Sequence, residues 1–163
     1  MSFFENSGML ENAYITRDGF FMQEALELAM KARDAGEVPV GAVLVQAGQI
    51  VGRGSNSPIG SNDPTAHAEI IALRAGGQAL GNYRLVDTDL YVTIEPCLMC
   101  MGAIIHARVR RLVYGATDPR MGAAGTVFDF TREARLNHSV EVKAGVLEGA
   151  CRNLMQDFFK HKR

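Results

Sequence analysis

The sequence has no tryptophan and only three cysteines. So small and odd a set of cysteines excludes a disulfide framework and fits a reducing compartment. Surplus charge is missing too: 17 basic residues against 18 acidic ones leave a net charge of -1. No global basic field advertises nucleic acid, so any such contact has to use a local patch. No apolar run approaches the roughly 20 residues of a membrane helix. The opening residues, MSFFENSGMLENAY, lack the basic start and apolar stretch of a secretory signal. These absences predict a cytoplasmic protein with no membrane contact.

What is present suits a packed globular chain. Hydrophobic residues make up 47% and charged residues 21% of 163 positions, which supports one domain with its own core. Residues 1–17 show no clear period and read as a tail, with Phe3 and Phe4 as its docking points. Residues 18–163 read as the domain. In DGFFMQEALELAMKARDAGE, Phe21, Ala25, Leu28, Ala29 and Ala32 recur at helical spacing. Asp18 is expected to cap that helix and Gly36 to end it. VPVGAVLV reads as a strand buried on both faces, and QAGQ turns it into a second strand, IVGRG. A polar loop follows, in which Asp63-Pro64 predicts the start of a helix over TAHAEIIALRAGG that stops at Gly76-Gly77. LYVTI is a third strand. Pro96 is expected to open the helix CLMCMGAIIHARV, apolar nearly all round and so predicted to lie deep in the core. RLVYGA and VEVKAGV are further strands, separated by a glycine-rich segment with a short helix expected near Thr131 to Leu136. LEGACRNLMQDFFKHKR is the last helix. Alternating strands and helices predict an α/β fold, a five-stranded mixed sheet covered on both faces. Its first pair should be antiparallel and its last strands parallel.

The stretch EPCLMC leaves three readings open. Cys97 and Cys100 share a helix face at i and i+3. They suit a metal site, a redox pair where a strand enters a helix, or plain core packing. PTAHAEI shifts the balance. His67 also stands at the start of a helix that follows a strand-loop unit. In a wound sheet such starts gather along one edge. One imidazole and two thiolates form a good zinc set, and three ligands leave a position free for water, as catalytic sites do. No other residue is well placed to close the set. His106 lies nine residues along the same helix on its far side, Cys151 belongs to a core stripe, and His138 and His161 sit in a loop and the tail. Glu69, two residues past His67, does not share its face, which suits a proton-handling carboxylate beside the metal better than a ligand.

HAE followed by PCLMC matches the H-x-E…P-C-x-x-C pattern of the zinc nucleobase deaminases. The segments EVPVGAVLV, SNSPIGSNDPTAHAEI, TDPRMGAAG, NHSVEV and DFFKHKR further resemble the bacterial tRNA adenosine deaminases, over about residues 18 to 163. The resemblance implies a three-layer α/β/α sandwich, cytidine deaminase-like, and deamination of adenosine to inosine at the wobble position of a tRNA anticodon. It implies one zinc per subunit held by His67, Cys97 and Cys100, with Glu69 as the proton shuttle. It also implies base contact by Asn56, a pocket lined by the backbone around Val38 and Ala66, and Asp118 near the target ribose. A homodimer that contacts the anticodon stem-loop is implied as well. Arg120 and the terminal Lys160, Lys162 and Arg163 offer cations for phosphate, whereas Arg108, Arg110 and Arg111 also fit a solvated turn. The sequence departs from the family pattern at Ser55, Pro119 and Met121. The alternatives are a zinc deaminase of a free base or nucleoside such as cytosine or guanine, a non-catalytic RNA-binding subunit, and a thiol oxidoreductase.

Overall fold

The computed structural model describes residues 16–162, so Phe3, Phe4 and Arg163 lie outside the described residues. Helix α1 (Arg17–Asp34) is capped by Thr16, whose Oγ1 accepts a hydrogen bond from the Gly19 amide at 3.0 Å. Asp18 is therefore not the cap. Its carboxylate is taken by Tyr91, Arg111 and Lys143. Gly36 ends the helix as expected, with φ +80°.

Strands β1 (Gly41–Gln46) and β2 (Gln49–Ser55) form the predicted antiparallel hairpin. Helix α2 (Ala68–Leu80) differs at both ends from its sequence expectation. His67 is the N-cap, and Asp63 instead accepts from the Thr65 amide at 2.8 Å and its hydroxyl at 2.7 Å, folding a turn ahead of the helix. Helix α2 also runs through Gly76 and Gly77 to a left-handed cap at Gly81. Gly76 sits where a methyl would overlap Leu44 of the sheet, so it serves close packing rather than termination.

Strand β3 (Thr88–Ile94) is buried along its whole length. Helix α3 (Leu98–His106) follows, with Cys97 as N-cap and Pro96 one residue ahead of it. This helix is not deep in the core. Cys100, Met101 and Ile104 face inward, while Leu98 is 50% exposed. Strand β4 (Arg111–Ala116) and the short edge strand β5 (Glu141–Ala144) complete the sheet. Residues 131–136 form turns instead of the expected helix, fixed in part by the Leu136 amide on the Glu133 carbonyl. Helix α4 (Glu148–Lys162) closes the described chain.

The sheet order is β2-β1-β3-β4-β5. Strand β1 pairs antiparallel with β2 and β3, and β3-β4-β5 are parallel. Side chains alternate across the sheet with period two. Val43, Val45, Tyr91 and Val113 pack with Phe21, Met22, Ala25 and Leu26 of α1 and Cys151 of α4. Ala42, Leu44, Leu90, Val92, Leu112 and Tyr114 pack with Ala68, Ala72 and Leu73 of α2 and Met101 and Ile104 of α3. The result is the three-layer sandwich expected from sequence. Among the described residues, no helix is long and apolar enough to cross a membrane.

Candidate active site

The sheet topology gathers the candidate residues at one edge. Gly41 faces Ser55, Ala42 faces Val92, and Ile94 faces Ala116. The start of β1 and the ends of β2, β3 and β4 therefore share that edge. Val38, Asn56, Cys97 and Asp118 lie only one to three residues beyond those strand ends. An edge where strands end and helices begin is where wound sheets bind ligands.

Two features bring His67 to the cysteines. Helix α2 lies tight on β2, because a methyl at Gly52 or Gly54 would overlap the carbonyl oxygens of Ala72 and Ala68. Helix α3 starts directly after β3. The Nδ1 of His67 consequently stands 3.6 Å from Sγ of Cys97 and 3.5 Å from Sγ of Cys100. Tetrahedral zinc, with Zn–N near 2.0 Å and Zn–S near 2.3 Å, holds such donors about 3.5 Å apart. The three residues form a half-buried set whose ligand atoms lie within 4.8 Å of one another, and the donor chemistry fits zinc. Hydrogen bonding from Cys100, with His67 adding to it, pulls the Cys97 thiol well below its ordinary range despite burial. The same pairing, together with burial, pushes the Cys100 thiol up. The hydrogen bond to Cys97 holds the His67 imidazole above its usual range.

Glu69 is 4% exposed, and burial raises its carboxyl above the ordinary carboxylate range. The Cys100 thiol partly offsets that rise, and Glu69 lies outside the three-donor set. None of the other histidines joins that set. His106 is exposed, and the rings of His138 and His161 pair with the carbonyls of Val109 and Asp157. Cys151 is buried in the core with α1.

Asn56 is 7% exposed, and its backbone N–H donates to the Val40 carbonyl at 3.0 Å. Ala66 is buried, its N–H donating to Asp63 and its carbonyl accepting from Ser57. Val38, Asp118, Arg120 and Met121 line a groove of about 930 Å³ together with Met155, Phe159 and Lys160 of α4. Arg120 and Lys160, distant in sequence, thus border one groove. Lys162 instead sits 5.3 Å over the Phe158 ring. Arg110 stays exposed in the bend before β4 while pairing with Asp89 at 2.7 Å, whereas Arg111 is largely withdrawn from solvent and pairs with Asp18 at 2.6 Å.

Sequence reasoning missed two buried glutamates. Glu37 accepts from the amides of Ile59 and Gly60, and Glu95 from those of Asp118, Ala124 and Thr126. Each precedes a quoted motif residue, Val38 or Pro96. An acidic residue at the end of a buried strand was the available signal.

Residues 15–116 match the cytidine and deoxycytidylate deaminase zinc-binding region, and the chain belongs to that family. It is 52% identical to a tRNA-specific adenosine deaminase of Haemophilus influenzae over 147 residues, 90% of this chain and 85% of the relative. A solved structure from studies of A-to-I editing by tRNA:A34 deaminases is similar with TM-score 0.81 and 44% identity, covering 83% of this chain and 98% of the other. A guanine deaminase from Nitrosomonas europaea is similar with TM-score 0.71 and 26% identity, covering 85% of this chain and 82% of the other.

Proposed function

We propose that this protein hydrolytically deaminates adenosine to inosine at the wobble position of a tRNA anticodon. The observation that carries the reading is the His67–Cys97–Cys100 set with buried Glu69 beside it. It stands in a chain 52% identical to a tRNA-specific adenosine deaminase over nine-tenths of its length.

His67, Cys97 and Cys100 would hold one zinc per subunit. Zinc bound there would supply Lewis acidity, lowering the pKa of a water toward neutral pH. Glu69 accepts a proton from the attacking water as its oxygen bonds to C6 of the adenine ring. Glu69 returns that proton to the ring nitrogen, then takes a second one from the new C6 hydroxyl and gives it to the amino group, the C6–N bond breaks, and ammonia leaves. Burial suits Glu69 to this work, because a carboxyl that readily holds a proton can also give it back. Asn56, the backbone around Val38 and Ala66, and Asp118 are assigned to base and ribose.

An unpaired anticodon base can be splayed into a pocket, and flanking phosphates need cations. Arg120 and Lys160, on one groove, support that role. Leu98, Gly102 and Ile105 of α3 follow helical spacing i, i+4, i+7, and the first two are exposed. That uncovered stripe supports a homodimer. The enzyme is expected to act in the cytoplasm.

The test is incubation with an anticodon stem-loop that carries a wobble adenosine, alongside free guanine, cytosine and adenosine. Inosine in the RNA supports the assignment. Turnover of a free base with none in the RNA overturns it in favour of a small-molecule deaminase.

A further inference from the structure

We propose that Glu95 is a positioning residue for the substrate loop, residues 117–127, and that its carboxylate sets where Asp118 and Arg120 stand. The inference rests on the deaminase reading, since that reading makes the loop a substrate contact.

Glu95 directly follows β3 and is only 2% exposed. Among the described residues, the hydrogen bonds to its carboxylate all come from this one loop. Oε1 accepts from the Asp118 amide at 3.3 Å and from the Thr126 hydroxyl. Oε2 accepts from the amides of Ala124 at 3.0 Å and Thr126 at 3.1 Å. The adjoining Pro96 carbonyl accepts from Ala123 at 2.9 Å. Both ends of the loop are thus tied to the residues just ahead of Cys97. The wrap has no slack: a methyl at Gly122 would stand 2.5 Å from both the Glu95 carboxyl carbon and the Asp118 carbonyl oxygen.

The tie reaches the substrate side through a single residue. The Asp118 amide is held by Glu95, and the Asp118 carboxylate in turn accepts from the Arg120 amide at 2.9 Å and from Met121 at 3.3 Å. Glu95 therefore holds the base of a turn whose tip, Pro119 to Met121, is exposed along the groove. Charged acceptors bind amides more strongly than neutral ones, which suits a carboxylate to gathering several loop N–H groups at once. Glutamine has the same shape, but its NH2 would face backbone donors, leaving them unpaired.

The experiment compares zinc-loaded wild type with Glu95→Gln and Thr126→Val on the anticodon stem-loop. It also follows tryptic cleavage after Arg120 and measures zinc content. Both variants are expected to retain zinc and to raise KM about tenfold with little change in kcat. Cleavage after Arg120 should accelerate. A purely structural glutamate would instead lower the active fraction, and so the apparent kcat, with KM unmoved. That pattern, or unchanged cleavage, would overturn the proposal. If Glu95→Gln does not fold, Thr126→Val carries the test, because it removes only the hydroxyl on the loop. Wild type inactive on the stem-loop overturns the functional reading instead, and the cleavage rates then decide the positioning role alone.

Discussion

His67 and Cys100 are 33 residues apart in sequence, yet Nδ1 of one lies 3.5 Å from Sγ of the other. Neither helix alone creates that contact. It arises because α2 and α3 both begin at the sheet edge where β2 and β3 end, and because glycines let α2 lie flat on β2. The three-donor set is thus a product of topology more than of local motif.

Purified protein is expected to carry one zinc per chain. Cys97→Ser should lower zinc affinity by at least about 100-fold, more than loss of an outer-shell partner usually does. Metal analysis after dialysis against a chelator checks this. Full zinc retention in Cys97→Ser would contradict the ligand assignment.

Gly54→Ala should damage the site from a distance. The added methyl overlaps the Ala68 carbonyl, next to His67, so α2 must shift. Overpacking of this kind destabilises by about 1–3 kcal/mol. Thermal unfolding and zinc content should fall together. A variant of wild-type stability and zinc content would show that α2 is not held by this contact.

How much of this was legible in sequence follows the same division. The strand-helix order, the parallel second half of the sheet and the HAE and PCLMC residues were readable, because period and motif are local. Helix ends were not. Asp63-Pro64 looks like a helix start, but Asp63 is engaged by Thr65, and His67 takes the cap. The apolar helix α3 looks fully buried, but one helix layer covers each sheet face and leaves its outer side uncovered. Glu95 stands out as an acid at the end of a buried strand, but its role was not legible because its partners lie 23 to 31 residues away.

Asp18 anchors the edge of the sheet away from the metal set, accepting from Tyr91 at 2.7 Å, Arg111 at 2.6 Å and Lys143 at 2.7 Å. Burial alone would raise its carboxyl, but the hydrogen bonds from Arg111, Lys143 and Tyr91 outweigh it and hold it below the usual range. A lowered carboxyl contributes stability that is full above its unfolded pKa of about 4 and is lost as pH falls below that. Asp18→Asn should destabilise by about 2 kcal/mol at pH 7. The gap to wild type should narrow as the pH drops below about 4. Denaturant titrations across that range check the sign, and a gap that widens in acid would contradict it.

Burial together with the Asp18 hydrogen bond also pushes the Tyr91 phenol up to about 12. Tyr91→Phe should therefore destabilise by about 1 kcal/mol with no change in substrate KM, since the ring still packs on Phe21. A KM effect would place this network in substrate binding.

Arg120→Ala and Lys160→Ala should each weaken stem-loop binding at low salt. Each should also reduce the slope of log affinity against log salt by about 0.7–0.9, the share of one phosphate contact. Binding isotherms over several salt concentrations measure it. An unchanged slope would remove that residue from the RNA interface.

The central claim is that Glu69 moves the protons of a zinc-dependent adenosine deamination. The most direct measurement is inosine formation in a wobble-adenosine stem-loop by wild type and Glu69→Gln, with zinc quantified in both. The account predicts inosine from wild type and a loss of at least about 100-fold in Glu69→Gln, with zinc retained. Undiminished inosine from zinc-loaded Glu69→Gln would contradict it.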